Sequence, residues 1–398
     1  MPLQPPGTAW IVKHVRRSRH SFPASPHESP LPNHSPNGAS RTNRGAYLNR
    51  VATAVPANEV HGTFLAFARG QLADDPRRLA VFDRMASRTG IEHRYSSLAP
   101  ADDPNGESVD RDGRFRRGAF PGTAERMDLY ERLAPDLAMR AIEGLELGEN
   151  AKRTTHLIVA SCTGFVAPGL DLEIVARLGL SPSVERTLIG FMGCYAAINA
   201  LKAARHIVRS EPDARVLVVN CELCTLHLKD ATDLEELLTF CLWGDGCSAG
   251  LVTGEAEGFR LDSFKALLAA DASELMSWRV RDDGFDMVLS GRVPATVSDI
   301  LNEHASDVLG GAEPDAITHW AVHPGGRTVL DAVEKSLSLA PNDLAPSRAV
   351  LRDNGNMSSA TVMFVLERML REARSGERGC GMAFGPGLTA ETMLFQAA

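Results

Sequence analysis

Cys194, His323 and Asn356 are the residues of this chain whose types and settings suit nucleophilic chemistry. Cys194 lies in Leu188-Ile-Gly-Phe-Met-Gly-Cys194-Tyr-Ala-Ala, where an apolar stretch ends at Gly193 and a helical pattern starts just past the cysteine. Small residues there permit a sharp strand-to-helix turn that presents the sulfur at a helix N-terminus. The positive end of the helix dipole favours the thiolate, which is the reactive form. A free cysteine is also commonly an inert buried side chain, so this segment leaves both readings open. A cysteine nucleophile needs a base and a donor for the oxyanion. His323 closes the strand-like run Trp320-Ala-Val-His323 ahead of Pro-Gly-Gly, and Asn356 sits in Asp353-Asn-Gly-Asn356-Met-Ser-Ser-Ala just before a helix. Singly, the histidine could be a satisfied core residue and the asparagine a turn residue or helix cap. Together, at three such junctions, they read as one site.

The elements that must position them alternate along the chain. Apolar, β-branched runs at His156–Ala160, Arg215–Asn220, Cys247–Thr253 and Ile317–Val322 read as strands. Helical spacing covers Tyr195–Val208, with Ile198, Leu201, Ala204, Ile207 and Val208 on one face and Lys202 and Arg205 off it, and also Ser358–Glu372. Continuous apolar strands between helices predict an α/β protein of mostly parallel, buried sheets with helices on both sides. Two halves, 46–255 with the cysteine and 256–398 with the histidine and asparagine, would each carry one such unit. Residues 1–45 hold eight prolines and six Lys/Arg but one acid, Glu28. That composition predicts a disordered basic Pro/Ser-rich tail.

The net charge of -8 is too mild to indicate a polyanionic partner, and no basic face interleaves with aromatics, so nucleic acid is not an expected ligand. Seven cysteines spread between Cys162 and Cys380 suit a reducing, cytoplasmic compartment better than a disulfide framework. No apolar run approaches the length of a membrane span. Cys221-Glu-Leu-Cys224 has the C-x-x-C form but no second pair at zinc spacing, so no metal is expected. The charged run near Lys229–Glu236 reads as a solvated face.

Five stretches resemble the type III polyketide synthases, the chalcone synthase-like branch of the thiolase superfamily. They are Gly190-Phe-Met-Gly-Cys194-Tyr-Ala-Ala, Leu242-Trp-Gly-Asp-Gly246, His323-Pro-Gly-Gly326, Gly355-Asn-Met-Ser-Ser-Ala360 and Gly385-Pro-Gly-Leu-Thr-Ala-Glu-Thr392, in family order over residues 46–398. The resemblance implies a thiolase-like five-layered αβαβα fold from two pseudo-repeated halves, assembled as a homodimer. It implies acyl-CoA and malonyl-CoA as substrates, with no carrier protein and no metal or redox cofactor. Cys194 would carry the acyl group, with His323 as its ion-pair partner. Asn356, with His323, would stabilise the enolate left when malonyl-CoA loses CO2.

The resemblance also assigns a pocket. Trp243 and Met287 match two gatekeeper phenylalanines, and Trp278 matches a pocket glycine. Cys162, Thr163, Cys224, His227 and Ser358 match further pocket positions, and Arg84 and Arg88 match basic residues that hold coenzyme A phosphates. The small Cys224 would open one end of the cavity while Trp278 shrinks another. The expected activity is decarboxylative condensation of malonyl-CoA onto a medium- or long-chain fatty acyl-CoA, giving alkylpyrones or alkylresorcinols. Alternatives are a small-starter member making a phloroglucinol-, naphthalene- or chalcone-type product, or a ketoacyl synthase III-like enzyme requiring acyl carrier protein. A papain-like protease has its histidine at similar spacing, but lacks the nearly 200 residues that precede Cys194 here. A non-catalytic relative would lack at least one of the three residues.

Overall fold

Apolar runs and helical spacing resolve into a mixed α/β architecture in the computed structural model, which describes residues 45–398. The expected disordered tail falls, apart from Gly45, outside the described residues. The chain runs β1 (Tyr47–Ala54), β2 (Asn58–Glu59), α1 (His61–Gln71), α2 (Pro76–Ala86), β3 (Tyr95–Ser96), α3 (Thr123–Glu143), β4 (His156–Ser161), α4 (Leu170–Leu178) and β5 (Glu185–Gly190). It continues through α5 (Ala196–Ser210), β6 (Val216–Leu223), α6 (Leu234–Phe240), β7 (Asp245–Thr253) and β8 (Phe259–Leu268). A hairpin of β9 (Met276–Arg281) and β10 (Gly284–Leu289) leads into α7 (Val293–Val308) and β11 (His319–Val322). Last come α8 (Arg327–Ser336), α9 (Ala345–Asn354), α10 (Thr361–Glu372), β12 (Arg378–Gly385) and β13 (Thr389–Ala397).

Nine strands pair in the order β11-β12-β13-β8-β1-β7-β6-β4-β5. A repeat is visible in that order. In the first half β1, β7, β6 and β4 are neighbours, and in the second half so are β8, β13, β12 and β11. In each set the first two pairings are antiparallel and the third is parallel. The halves join through two residue pairs, Tyr47 with Arg260 and Leu48 with Phe259. Three of the eight pairings are parallel, so the expectation of mostly parallel sheets is corrected to a mixed sheet. The cause lies in burial: β7 is antiparallel to both neighbours yet buried along all nine residues. A strand covered on both faces loses the alternation by which antiparallel strands are usually read.

The five layers follow from which way each strand residue points. Leu157 and Val159 of β4, with Leu217 and Val219 of β6, face an outer core under α3, while Ile158, Val216 and Val218 face inward. In the second half Trp320, Val322, Cys380 and Met382 face α7 and α8, while Ala321 and Ala383 face inward. The inward residues of both halves close on α5 and α10, whose Ile198, Leu201, Val362, Val365 and Leu366 fill the middle layer. Each large aliphatic side chain buried there contributes about 1.5–3 kcal/mol. Lys202 and Arg205, off the apolar face as expected, bond Glu391 and the Leu261 carbonyl. Lys229 corrects the reading of its charged run: it is buried and bridges Asp283 at 2.7 Å and Asp286 at 3.0 Å, tying the β9–β10 turn down.

Candidate active site

The two central helices begin at equivalent places in the two halves, and their N-terminal ends place Cys194 and Asn356. After β5 the chain turns through Phe191 and Gly193, both at positive φ, into a tight helical turn over Gly193–Tyr195 that leads straight into α5. At Gly193 φ is +70°, and a Cβ would lie 2.3 Å from Cδ of Pro386. Only glycine fits there, because the Gly385-Pro-Gly loop of the second half packs on the cysteine turn. Tyr195 completes that contact by donating to the Pro386 carbonyl at 3.2 Å.

Asn356 stands at the corresponding junction before α10. Gly355, at φ +69°, breaks the end of α9, and a Cβ there would meet the Leu242 carbonyl at 2.7 Å. The Asn356 amide is oriented from both sides. Its Nδ2 donates to the Gly325 carbonyl at 3.1 Å, and its Oδ1 accepts from the Ser358 N–H at 2.9 Å. The other Nδ2 proton serves the Cys194 sulfur, so it stands at the reacting position of the cavity. His323 follows β11 directly, held by its own N–H to the Met382 carbonyl at 2.7 Å. Both its ring nitrogens are buried and find no partner among the described residues. A buried imidazole with both nitrogens unspent is costly unless a substrate uses them.

Cys194, His323, Asn356 and Ser358 line one cavity of about 40 Å³, room for roughly three waters. Its walls are otherwise apolar: Trp243, Trp278, Met287, Val329 and Phe384 all contribute. The indole N–H groups of Trp243 and Trp278 are buried and lack acceptors among the described residues. Burial pushes the Cys194 thiol up to about 12, with Glu222 acting the same way, while hydrogen bonds from Ser358 and Asn356 pull it down. Burial brings His323 down to about 3. Desolvation therefore opposes the expected ion pair, and Ser358 and Asn356 are what favour the thiolate against it.

Of the expected pocket residues, Cys162, Trp243, Met287 and Ser358 line the cavity, and Trp278 faces Met287 across the β9–β10 hairpin. The Cys162 sulfur accepts from the Gly193 N–H at 3.0 Å and so braces the cysteine turn. Thr163, Cys224 and His227 are buried and are not on the wall. Thr163 Oγ1 donates to Glu222 and accepts from the Leu223 N–H, so its hydroxyl is fully spent inside the protein. Cys224, buried in the turn Cys224–His227, does not open the cavity as expected. Arg84 and Arg88 are exposed and have no ion-pair partner among the described residues. Cys221 and Cys224 are free thiols. Among the described residues the side chains close enough to share an ion are His156, Glu185 and Glu211, and neither cysteine joins them.

Sequence reasoning missed Glu222 and Arg94. Glu222 is fully buried and gathers the Cys162 N–H, the Thr163 hydroxyl and the Ser359 hydroxyl, stitching the first half to the segment after Asn356. A lone acid inside Val216-Leu-Val-Val-Asn-Cys-Glu222-Leu was the available signal, since buried charges are normally partnered. Arg94, also buried, donates to the Phe240 and Trp243 carbonyls at 2.9 and 2.7 Å and fixes the stretch that carries Trp243.

A repeated two-half fold with a cysteine at one central helix and an asparagine at the other defines a thiolase-like condensing enzyme. Residues 36–256 match the N-terminal domain of chalcone and stilbene synthases and residues 262–398 the C-terminal domain; the chain belongs to this family, the type III polyketide synthases. It is 33% identical over 367 residues to the alpha-pyrone synthesis polyketide synthase-like Pks18 of Mycobacterium tuberculosis, covering 88% of this chain and 91% of that one. It is 34% identical over 344 residues to bisdemethoxycurcumin synthase of Oryza sativa, covering 79% and 83%. Among solved structures, 1,3,6,8-tetrahydroxynaphthalene synthase of Streptomyces coelicolor superimposes with a TM-score of 0.78 at 30% identity, over 88% of this chain and 99% of that one. PKS-I of the brown alga Ectocarpus siliculosus gives 0.79 at 28% identity, over 89% and 98%. The enzyme is thus an acyltransferase of decarboxylative condensation, with coenzyme A thioesters as substrates and no cofactor. No helix among the described residues is long and apolar enough to cross a membrane.

Proposed function

We propose that the enzyme extends a medium- or long-chain fatty acyl-CoA with malonyl units to alkylpyrones or alkylresorcinols, with Cys194, His323 and Asn356 doing the chemistry. Cys194 attacks the starter thioester and releases coenzyme A. Malonyl-CoA then loses CO2, and the resulting enolate, held by His323 and by the Asn356 proton that the acylated sulfur no longer needs, attacks the acyl-Cys194 carbonyl. The Cys194 thiolate leaves and the product is a β-ketoacyl-CoA. The observation that carries this reading is the cavity itself. Its polar atoms without partners, on His323, Trp243 and Trp278, suit carbonyl oxygens, and the rest of its wall suits an alkyl chain. The mycobacterial relative named for alpha-pyrone synthesis supports the product class. The exposed Arg84 and Arg88 are proposed to meet coenzyme A phosphates.

A second reading has its own support. At about 40 Å³ the cavity admits a fatty chain only if a wall gives way, whereas a small starter needs less displacement. The Streptomyces relative is a naphthalene synthase. Purified enzyme with malonyl-CoA and acyl-CoAs of graded length, products read by mass spectrometry and Cys194→Ala as control, separates the two. Pyrones or resorcinols from medium or long starters support the first reading; an aromatic product from malonyl-CoA alone overturns it in favour of the second.

The enzyme is further proposed to be a cytoplasmic homodimer built from the halves 46–255 and 256–398. β5 ends the large sheet with an open edge, and Leu188 on it and Phe165 beside it are 59% and 53% exposed. An open apolar edge on a monomer invites aggregation, and a two-fold partner would cover it. Leu188→Lys should shift the enzyme toward monomer in sedimentation; an unchanged mass would remove β5 from the interface.

A further inference from the structure

His227 stands behind the cavity wall, joined to both things that define the cavity's width. It lies in the turn Cys224–His227, fully buried. Its Nε2 donates to the Thr163 carbonyl at 2.7 Å, and its Nδ1 accepts from the Phe285 N–H at 3.2 Å. A carbonyl can only accept and an amide N–H only donate, so these contacts fix one neutral tautomer. The ring also stacks on Phe285 at 4.0 Å and 15°, and meets Trp278 edge-on at 5.8 Å.

Each partner leads to the site by a short path. Thr163 follows Cys162, whose sulfur holds the Gly193 N–H beside the nucleophile. Phe285 belongs to β10, and the β9–β10 hairpin supplies six cavity residues: Met276, Ser277, Trp278, Met287, Val288 and Leu289. The hairpin forms its own two-stranded sheet, separate from the nine-stranded one. Its turn is tied by Lys229 to Asp283 and Asp286, and by Gly284 N–H to Thr123 at 2.8 Å. From β10 itself, two links reach the segment after β6, Phe285 N–H to His227 and Asp286 to Lys229; the first is the one that continues, through the Thr163 carbonyl, to the segment after β4 that carries Cys162.

We propose that His227 is a positioning residue that clamps the β9–β10 wall to the segment behind Cys194 and thereby sets the length of acyl chain the enzyme takes. The inference rests on the acyl-CoA reading for its consequence, though not for the clamp. His227 influences substrate through Trp278 and Met287 and touches no reacting atom. Loss of the clamp leaves a buried N–H and a buried carbonyl unpaired, and the hairpin moves to recover partners.

His227→Leu keeps bulk and removes both bonds, whereas in His227→Gln the side-chain amide offers one donor and one acceptor at similar separation. Hydrogen exchange over residues 276–289 reads the clamp without any substrate. An acyl-CoA ladder reads its consequence as the ratio of kcat/KM for long over short starters. In His227→Leu we expect exchange of the hairpin amides to speed up about tenfold and the ratio to rise about tenfold, with His227→Gln returning both toward wild type. Unchanged hairpin exchange, or an equal fall at every chain length, overturns the proposal. If His227→Leu does not fold, His227→Asn, whose side chain is too short to reach both the Thr163 carbonyl and the Phe285 N–H, decides by the same two readouts. If wild-type enzyme turns over no acyl-CoA, the functional reading fails, while hydrogen exchange still decides the clamp.

Discussion

Trp243 and Asn356 are bridged backbone to backbone: the Asn356 N–H donates to the Leu242 carbonyl at 2.8 Å, and the Gly244 N–H donates to the Asn356 carbonyl at 3.0 Å. One short parallel bridge therefore places both a wall of the cavity and the amide proposed to meet the enolate. Asp245, next in the stretch, anchors it by accepting from the N–H groups of Ser97 and Thr225, each at 2.8 Å, and from the Thr225 hydroxyl. The Leu-Trp-Gly-Asp-Gly segment is thus a bracket between the two halves.

Asn356→Ala removes the donor but leaves the thiol. Malonyl-CoA decarboxylation should fall about 10²–10³-fold, the usual effect of deleting one oxyanion donor. Acylation of Cys194, followed by intact mass, should fall far less. Equal losses in the two assays would sink this division of roles.

Ser358→Ala removes a hydrogen bond that favours the Cys194 thiolate against burial. The thiol titrates higher still, so less thiolate is present at any pH below its midpoint. Alkylation of Cys194 by iodoacetamide at pH 7 should slow several-fold, and the rate–pH profile should move to higher pH. A profile that stays put would mean that Ser358 does not reach the sulfur in solution.

Asp245 carries a pH signature in stability. Burial raises its carboxyl from 3.8 to about 6. Between about pH 4 and 6 the folded protein holds a proton that the unfolded chain has released, so stability falls as pH rises through this window, by about 3 kcal/mol. Urea denaturation of Asp245→Asn from pH 4 to 7 should show a correspondingly flatter dependence than wild type.

Gly193→Ala tests the fit of the two halves beside Cys194. The backbone penalty alone is about 1–2 kcal/mol, and the Cβ adds a clash with the Pro386 ring. Melting should drop by several degrees and turnover should be lost, whereas Gly179→Ala, also at positive φ but with open space around it, should cost only the backbone part. Similar losses in both variants would show that the Pro386 contact is slack.

The residues of the site were legible because their constraints are local. Glycines at positive φ, a cysteine at a strand-to-helix turn, and a histidine and an asparagine at element ends leave their mark within a few positions. Strand and helix runs such as β4, β6, α5 and α10 were legible for the same reason, since periodicity is a property of one segment. What faces what was not. β7 carries no pattern that tells antiparallel from parallel, because it is buried on both faces. Lys229 reads as a surface charge until Asp283 and Asp286 are found against it. Thr163, Cys224 and His227 occupy positions expected on the cavity wall, yet their side chains are spent or buried within the protein. The sequence by itself determined the chemistry available to this protein and the family it belongs to. Only the tertiary structure decided which side chains line the cavity and how wide it is, because those depend on partners far apart in the chain, whose distance is set by packing.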